Sequence, residues 1–134
     1  MSGENVEVVR RVYDAARRRD SEAVLALYDP EVELDNTLMI GSMGGFYRGH
    51  DGLRSLFREW NEAWESIDYQ LDDLTDAGGD QVVSVVTRHG RGRASGAEVE
   101  IQVALLWTIR DGKVTRVVWF PTREDALTAA KGPE

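Results

Sequence analysis

The chain has 134 residues, 42% of them hydrophobic, and no cysteine, so it is expected to form one domain over residues 1–134 with a core of its own and without disulfide, iron–sulfur or zinc–thiolate staples. A formal charge of −8 argues against nucleic acid or an anionic membrane as partner, because neutralising phosphates needs an excess of Lys and Arg. The opening residues carry no apolar leader and no apolar run approaches the ~18 residues of a membrane span, so a cytoplasmic location is expected.

Val6, Val9, Val12, Tyr13 and Ala16 recur at helical spacing and predict a helix from Asn5 to Arg19. Ser21 is the expected N-cap of a second, short helix carrying Val24, Leu25, Leu27 and Tyr28. Asp29-Pro30 should end it, since the residue before proline avoids the α region. From Glu31 to Asn36, Val32 and Leu34 alternate with Glu31, Glu33 and Asp35, as in a half-buried strand. Thr37 to Gly49 (TLMIGSMGGFYRG) reads as a long loop, apolar at Leu38, Met39, Ile40 and Met43 and broken by Gly41, Gly44 and Gly45. Such a loop is suited to a lid. His50 to Trp64 is predicted helical, with Leu53, Leu56, Phe57, Trp60 and Trp64 on one face.

Beyond Ile67 the apolar period is two. Strands are expected at about 67–76, 80–92, 97–110 and 113–120, joined by turns at Gly78-Gly79, Ser95-Gly96 and Asp111-Gly112. Thr122 and Asp125 are placed like a capping box opening a short terminal helix that stops at Gly132-Pro133. Helices first and a long antiparallel meander last make an α+β chain.

Three stretches carry a resemblance to a known family. They are Asp20–Tyr28 followed by Glu31-Val32-Glu33-Leu34; Tyr47-Arg48-Gly49-His50-Asp51-Gly52-Leu53; and Trp107–Val114 running on to Trp119-Phe120 and Glu124-Asp125-Ala126-Leu127. With the element order, they resemble the nuclear transport factor 2-like superfamily, the fold of ketosteroid isomerases and SnoaL-like polyketide cyclases. The resemblance implies a cone: a curved antiparallel sheet wrapped around three helices, with a short C-terminal helix, in a protein of bacterial type. It does not imply one chemistry, because the fold hosts isomerases, cyclases, epoxide hydrolases, dehydratases and binding proteins.

Ketosteroid isomerisation needs a carboxylate base and a buried acid pair as oxyanion hole. By the resemblance, the base position falls on Asn36, the oxyanion tyrosine on Val12, a supporting tyrosine on Phe57 and the oxyanion aspartate on Leu105. All four lack the needed group, so that reaction is excluded. Tyr13 lies one residue, about 100° of helix, from the tyrosine position. Epoxide hydrolysis in this fold needs an Asp–Arg–Asp set in the cone, whereas Val99, Ile101, Val103, Leu105 and Trp107 make the expected inner face of their strand apolar.

SnoaL-like cyclases use an acid/base group in the cone. His89 is the one histidine on a predicted strand, and imidazole titrates near neutral pH. One register puts Val83, Val85, Thr87 and His89 inside; the other puts Val82, Ser84, Val86 and Arg88 there. The first is expected, because Arg88 sits more cheaply outside. His89 is then the expected general base, with Asn36 and Tyr47 orienting or polarising a carbonyl. The expected pocket is apolar and Trp-lined, drawing on Tyr13, Leu34, Phe57, Trp60, Trp64, Val103, Leu105, Trp107 and Trp119. It would hold a small hydrophobic ring compound, with no cofactor and no metal, either for proton transfer or as a binding or accessory domain without catalysis.

One further expectation concerns assembly. Ala104, Leu106, Val118 and Phe120 fall on the face opposite Val103, Leu105, Trp107, Val117 and Trp119, so the last strands are apolar on both faces. The terminal helix looks too small to cover the outer one, and a homodimer packed sheet to sheet is the expected cover.

Overall fold

The computed structural model describes residues 2–38 and 45–131. Helices α1 (Ser2–Arg17) and α2 (Ser21–Ala26) come first, then strand β1 (Tyr28–Asp35), the short β2 (Phe46–Arg48) and helix α3 (Gly49–Ala63). Strands β3 (Trp64–Gly78), β4 (Gln81–Gly92), β5 (Glu98–Arg110) and β6 (Lys113–Phe120) follow, and α4 (Arg123–Lys131) closes the chain. The strands form one six-stranded sheet in the order β2-β1-β6-β5-β4-β3. Helices α1, α2 and α3 pack on its concave face and α4 on its convex face. No helix among the described residues is long and apolar enough to cross a membrane.

Several local expectations shift for physical reasons. The sheet is mixed: β1 runs parallel to β6, with Leu34 opposite Val117, while the other pairs are antiparallel. Tyr28 opens β1 instead of closing α2, and Pro30 is tolerated because the β1–β6 register shifts between Tyr28 and Glu33. The cap of α2 is Asp20, whose carboxylate accepts from the Ala23 N–H at 3.1 Å, and not Ser21. β2 is a strand where a loop was expected; it is only three residues long and shows no alternation to read. Trp64 leaves the helix and begins β3. Thr122 does cap α4, its hydroxyl accepting from the Asp125 N–H at 3.1 Å. Asp111 (φ 52°) and Gly112 (φ 75°) both take positive φ, as a two-residue hairpin turn requires. The lid expectation falls largely on residues 39–44, outside the described residues.

Register decides what faces the cone. Val82, Ser84 and Val86 lie on the concave side with Val103, Leu105, Trp107, Val117 and Trp119, packed against Val9, Val12, Tyr13 and Leu53 from the helices. Val83, Val85, Ala104 and Leu106 form a second cluster on the convex side, closed by Ala126, Leu127 and Ala130 of α4. This explains the unbroken buried run from Val82 to Val86, since both faces are covered within one chain. It also narrows the ground for a second copy: Ala104 and Leu106 are already buried beneath α4, while Val118 and Phe120 stay partly exposed.

Candidate functional site

The cone has a polar knot in its core and an open end, and they differ in chemistry. In the core, Ser84 is wholly buried. The Trp107 indole N–H donates to its hydroxyl at 2.8 Å, and the Tyr13 hydroxyl lies 3.0 Å from the same oxygen. Tyr13 meets Trp107 edge-on, ring centroids 5.8 Å apart. Burial pushes Tyr13 up to about 12. Burial moves Tyr28, which packs tilted on Trp107, further in the same direction. A buried hydroxyl is harder to ionise, so these groups hold their protons at any physiological pH. Tyr13 and Trp107, expected in the pocket, are core residues joined through a serine.

The open end is built by β1, β2, α3 and the far halves of β3, β4 and β5. Paired positions share a face, so Tyr69, Arg88 and Ile101 stand side by side on the concave surface. The preferred register was therefore the wrong one. Arg88 is inside, and His89 is on the convex side opposite Glu100, its Nδ1 3.0 Å from the carboxylate and its side chain 47% exposed. An outward, exposed imidazole beside a surface carboxylate is not placed to act as general base in the cone. Arg88 is tolerated inside because its planar guanidinium stacks over Trp60, 5.0 Å from the ring centroid, and guanidinium is weakly hydrated for a cation.

Arg88 makes no hydrogen bond or ion pair with any described residue, and its Nε is fully buried. Burial lowers its affinity for its proton, against the opposing pull of Tyr69 and then Tyr13. The indole N–H groups of Trp60 and Trp119 are likewise buried without an acceptor. Trp60 Nε1 lies beside the Tyr69 hydroxyl but makes no hydrogen bond of good geometry with it. Burial raises the Tyr69 pKa, with Arg88 and Trp60 opposing the rise.

Asn36 is buried, and follows Leu34 and Asp35 along β1 so that it falls beside Trp119 on the concave face. Its backbone N–H donates to the Gly45 carbonyl at 2.7 Å, and its side-chain amide has no partner among the described residues. Tyr47, opposite Leu34 on β2, is half-buried. Burial raises its pKa, and the Glu59 carboxylate from α3, beside its hydroxyl, raises it further. Trp64 packs 5.9 Å from Trp60 and is seated on Gly90, where a β-carbon would come within 2.7 Å of its ring. Arg88 is the inward residue of the register that was not preferred, while Glu59 and Tyr69 beside the cone, and Gly90 as a seat, carry no signal in the sequence.

Two clefts are open among the described residues. One of about 580 Å³ runs between α2 and α3, past Leu25, Phe57, Arg54, Arg58 and Arg93. The other, about 480 Å³, lies at the β3–β4–β5 end and is bordered by Arg19, Ile67, His89, Gly90 and Val99. Of the expected pocket residues only Phe57 borders either. Leu34, Val103, Leu105 and Trp119 instead form the buried floor of the cone. Among the described residues no cluster of three or more His, Asp or Glu side chains is placed to hold a metal ion.

The architecture is shared with known proteins. The sequence profile of the SnoaL-like domain matches residues 9–117. A nuclear transport factor 2-like protein from Burkholderia thailandensis is 31% identical, with a TM-score of 0.78, 96% of this chain and 98% of that one being covered. TerC, co-crystallised with polyporic acid, is 24% identical with a TM-score of 0.78, over 96% of this chain and 99% of that one. A Mycobacterium tuberculosis protein in complex with estradiol-17β-hemisuccinate is 13% identical with a TM-score of 0.76, over 90% and 95%. No curated protein matches the chain. The chain belongs to the SnoaL-like family of the nuclear transport factor 2-like fold.

Proposed function

We propose that the open end of the cone binds a small hydrophobic ring compound. The observation that carries this is a set of buried N–H donors without an acceptor among the described residues, on Trp60 and Arg88, which stack 5.0 Å apart, and on Trp119 in the apolar floor. A buried donor left unpaired costs about 1–3 kcal/mol, and a ligand oxygen entering the cone would recover it. Trp60 and Trp64 offer flat faces for a ring. The Asn36 amide, without a partner among the described residues, would take a ligand carbonyl. Two proteins of this fold, TerC and the Mycobacterium tuberculosis protein, have been crystallised with polyporic acid and with a steroid ester, and a ligand of comparable shape suits this cone.

A second reading, proton transfer on the bound ring, is favoured by one specific pair. Glu59 is a carboxylate of α3 standing beside the Tyr47 hydroxyl. It could accept a proton from a carbon next to a ligand carbonyl and return it to another carbon, an isomerisation with no net change in composition, while Tyr47 donates to the carbonyl oxygen. Native mass spectrometry of protein purified from its host tests the first reading: a retained ring compound, displaced in the Trp60→Ala variant, is expected. Protein that carries no ligand and takes none up from host extract would contradict it. For the second reading, Glu59→Gln should abolish turnover of the retained compound without releasing it.

A further inference from the structure

We propose that the ligand is an anion, a ring compound bearing a carboxylate or a comparably acidic oxygen, and that Arg88 is its charge partner. This deepens the proposed function and rests on it. The chain carries 24 acidic residues against 16 basic ones, yet Arg88, half-buried with a wholly enclosed Nε, meets none of those among the described residues. Other strand arginines are paired: Arg91 with Glu98 at 3.5 Å, Arg110 with Asp80 at 3.2 Å and Arg116 with Asp35 at 3.6 Å. The acids nearest along the sheet lie on its other face, Asp68 and Glu100 both opposite His89. Glu100 faces His89 on the convex side, and Asp72 accepts from Thr87, Gln102 and Gln70. The oxygens that do face Arg88, on Tyr69 and Tyr13, keep their protons because burial raises both pKa values. Arginine cannot escape the cost of burial by losing its proton. Stacking on Trp60 offsets part of that cost and leaves the in-plane N–H donors unused.

The surface beside Arg88 specifies the rest of the ligand. Ile101, its partner across the β4–β5 ladder, is 47% exposed, and Val99, opposite Gly90, is 41% exposed. Both share the concave face with the guanidinium, so an open apolar strip runs directly from a cation with no counter-ion among the described residues. An amphipathic molecule fits this: a ring body over Ile101 and Val99, and an anionic oxygen in the plane of the guanidinium. A wholly neutral ring would cover the strip and leave Arg88 unpaired.

The test compares two fluorescent probes that share an anilinonaphthalene body, 8-anilinonaphthalene-1-sulfonate and the uncharged N-phenyl-1-naphthylamine, on the full chain. The wild type should bind the sulfonate about tenfold or more tightly than the neutral probe, as expected for one charge-assisted contact. Arg88→Met should remove that preference, the ratio of the two Kd values falling to about one, and Arg88→Lys should restore part of it. Equal binding of both probes by the wild type, or a preference unaltered in Arg88→Met, overturns the anion proposal while ring binding stands. Binding of neither probe overturns ring binding itself. Should Arg88→Met fail to fold by near-ultraviolet circular dichroism, the wild type alone decides. Naphthalene-1-carboxylate should then displace the neutral probe at about tenfold lower concentration than naphthalene-1-carboxamide, and equal potency overturns the proposal.

Discussion

Replacing Ser84 with Ala removes one oxygen from the core and strands two partners. The Trp107 N–H loses its acceptor at 2.8 Å and the Tyr13 hydroxyl its neighbour at 3.0 Å, with Ser84 itself fully enclosed. Each buried polar group left unpaired costs about 1–3 kcal/mol, so the pair should cost about 2–6 kcal/mol. Set against about 5–15 kcal/mol of total stability for a domain, that is a large fraction. With a urea dependence of about 1–3 kcal/mol per molar, the unfolding midpoint should fall by at least about 0.7 M. The assay is urea denaturation followed by tryptophan fluorescence and, separately, by far-ultraviolet circular dichroism. A double-mutant cycle sharpens it: Tyr13→Phe should cost about 1 kcal/mol less in the Ser84→Ala background than in the wild type, because its partner is already gone. A Ser84→Ala protein within about 0.5 kcal/mol of wild type, or strictly additive variants, would refute the reasoning that this serine joins the helical and sheet halves of the core.

Gly90→Ala should destabilise by about 1–3 kcal/mol and displace the Trp64 ring, because the new carbon would lie 2.7 Å from it; an unchanged Trp64 indole environment by NMR would contradict this. Alkali should unfold the protein: burial raises Tyr13 to about 12 from 10.0 and Tyr28 beyond it, so the stability held by their neutral forms is complete below the ordinary tyrosine pKa and lost as pH rises through the folded values. Spectrophotometric titration at 295 nm should find these two ionising only as the fold is lost. Acid should loosen α4. The Thr75 hydroxyl first, and Arg123 with it at 3.0 Å, hold the Asp73 carboxyl below its usual 3.8, so this contribution is present above that value and lost as pH falls through the folded pKa. Amide exchange in α4 should accelerate below about pH 4 in the wild type, and Asp73→Asn should already show that faster exchange at neutral pH.

Most of the element order is legible because it rests on periodicity. The 3.6-residue spacing from Val6 to Ala16 and the alternation beyond Ile67 are driven by burial of one face, which the chain states directly. The errors share a cause: each turned on a second face or a partner far along the chain. Arg88 and His89 are adjacent, and only the ladder to Ile101 and Glu100 decides which points inward; the rule that charge belongs outside chose wrongly because Trp60, 28 positions earlier, supplies a stacking surface. The doubly apolar β5 did signal cover on both faces, but α4 provides more of it than its nine residues suggested, since Ala126, Leu127 and Ala130 all face the sheet. Nothing in the spacing of α3 sets Glu59 apart, and only the placement of β2 brings Tyr47 to it.

The central claim, that the concave open end with its unpartnered donors is the ligand site, can be read from side-chain N–H resonances. The four tryptophans report separately in a ¹H–¹⁵N spectrum, with Arg88 Nε–H as a fifth probe, and Trp107, already bonded to Ser84, serves as the internal control. On titration with naphthalene-1-carboxylate, the Trp60, Trp119 and Arg88 signals should move together and saturate at one Kd, while Trp107 stays in place. Signals that stay still at saturating probe, or shifts confined to Arg54 and Arg58 beside the α2–α3 cleft, would place the site elsewhere and contradict the claim.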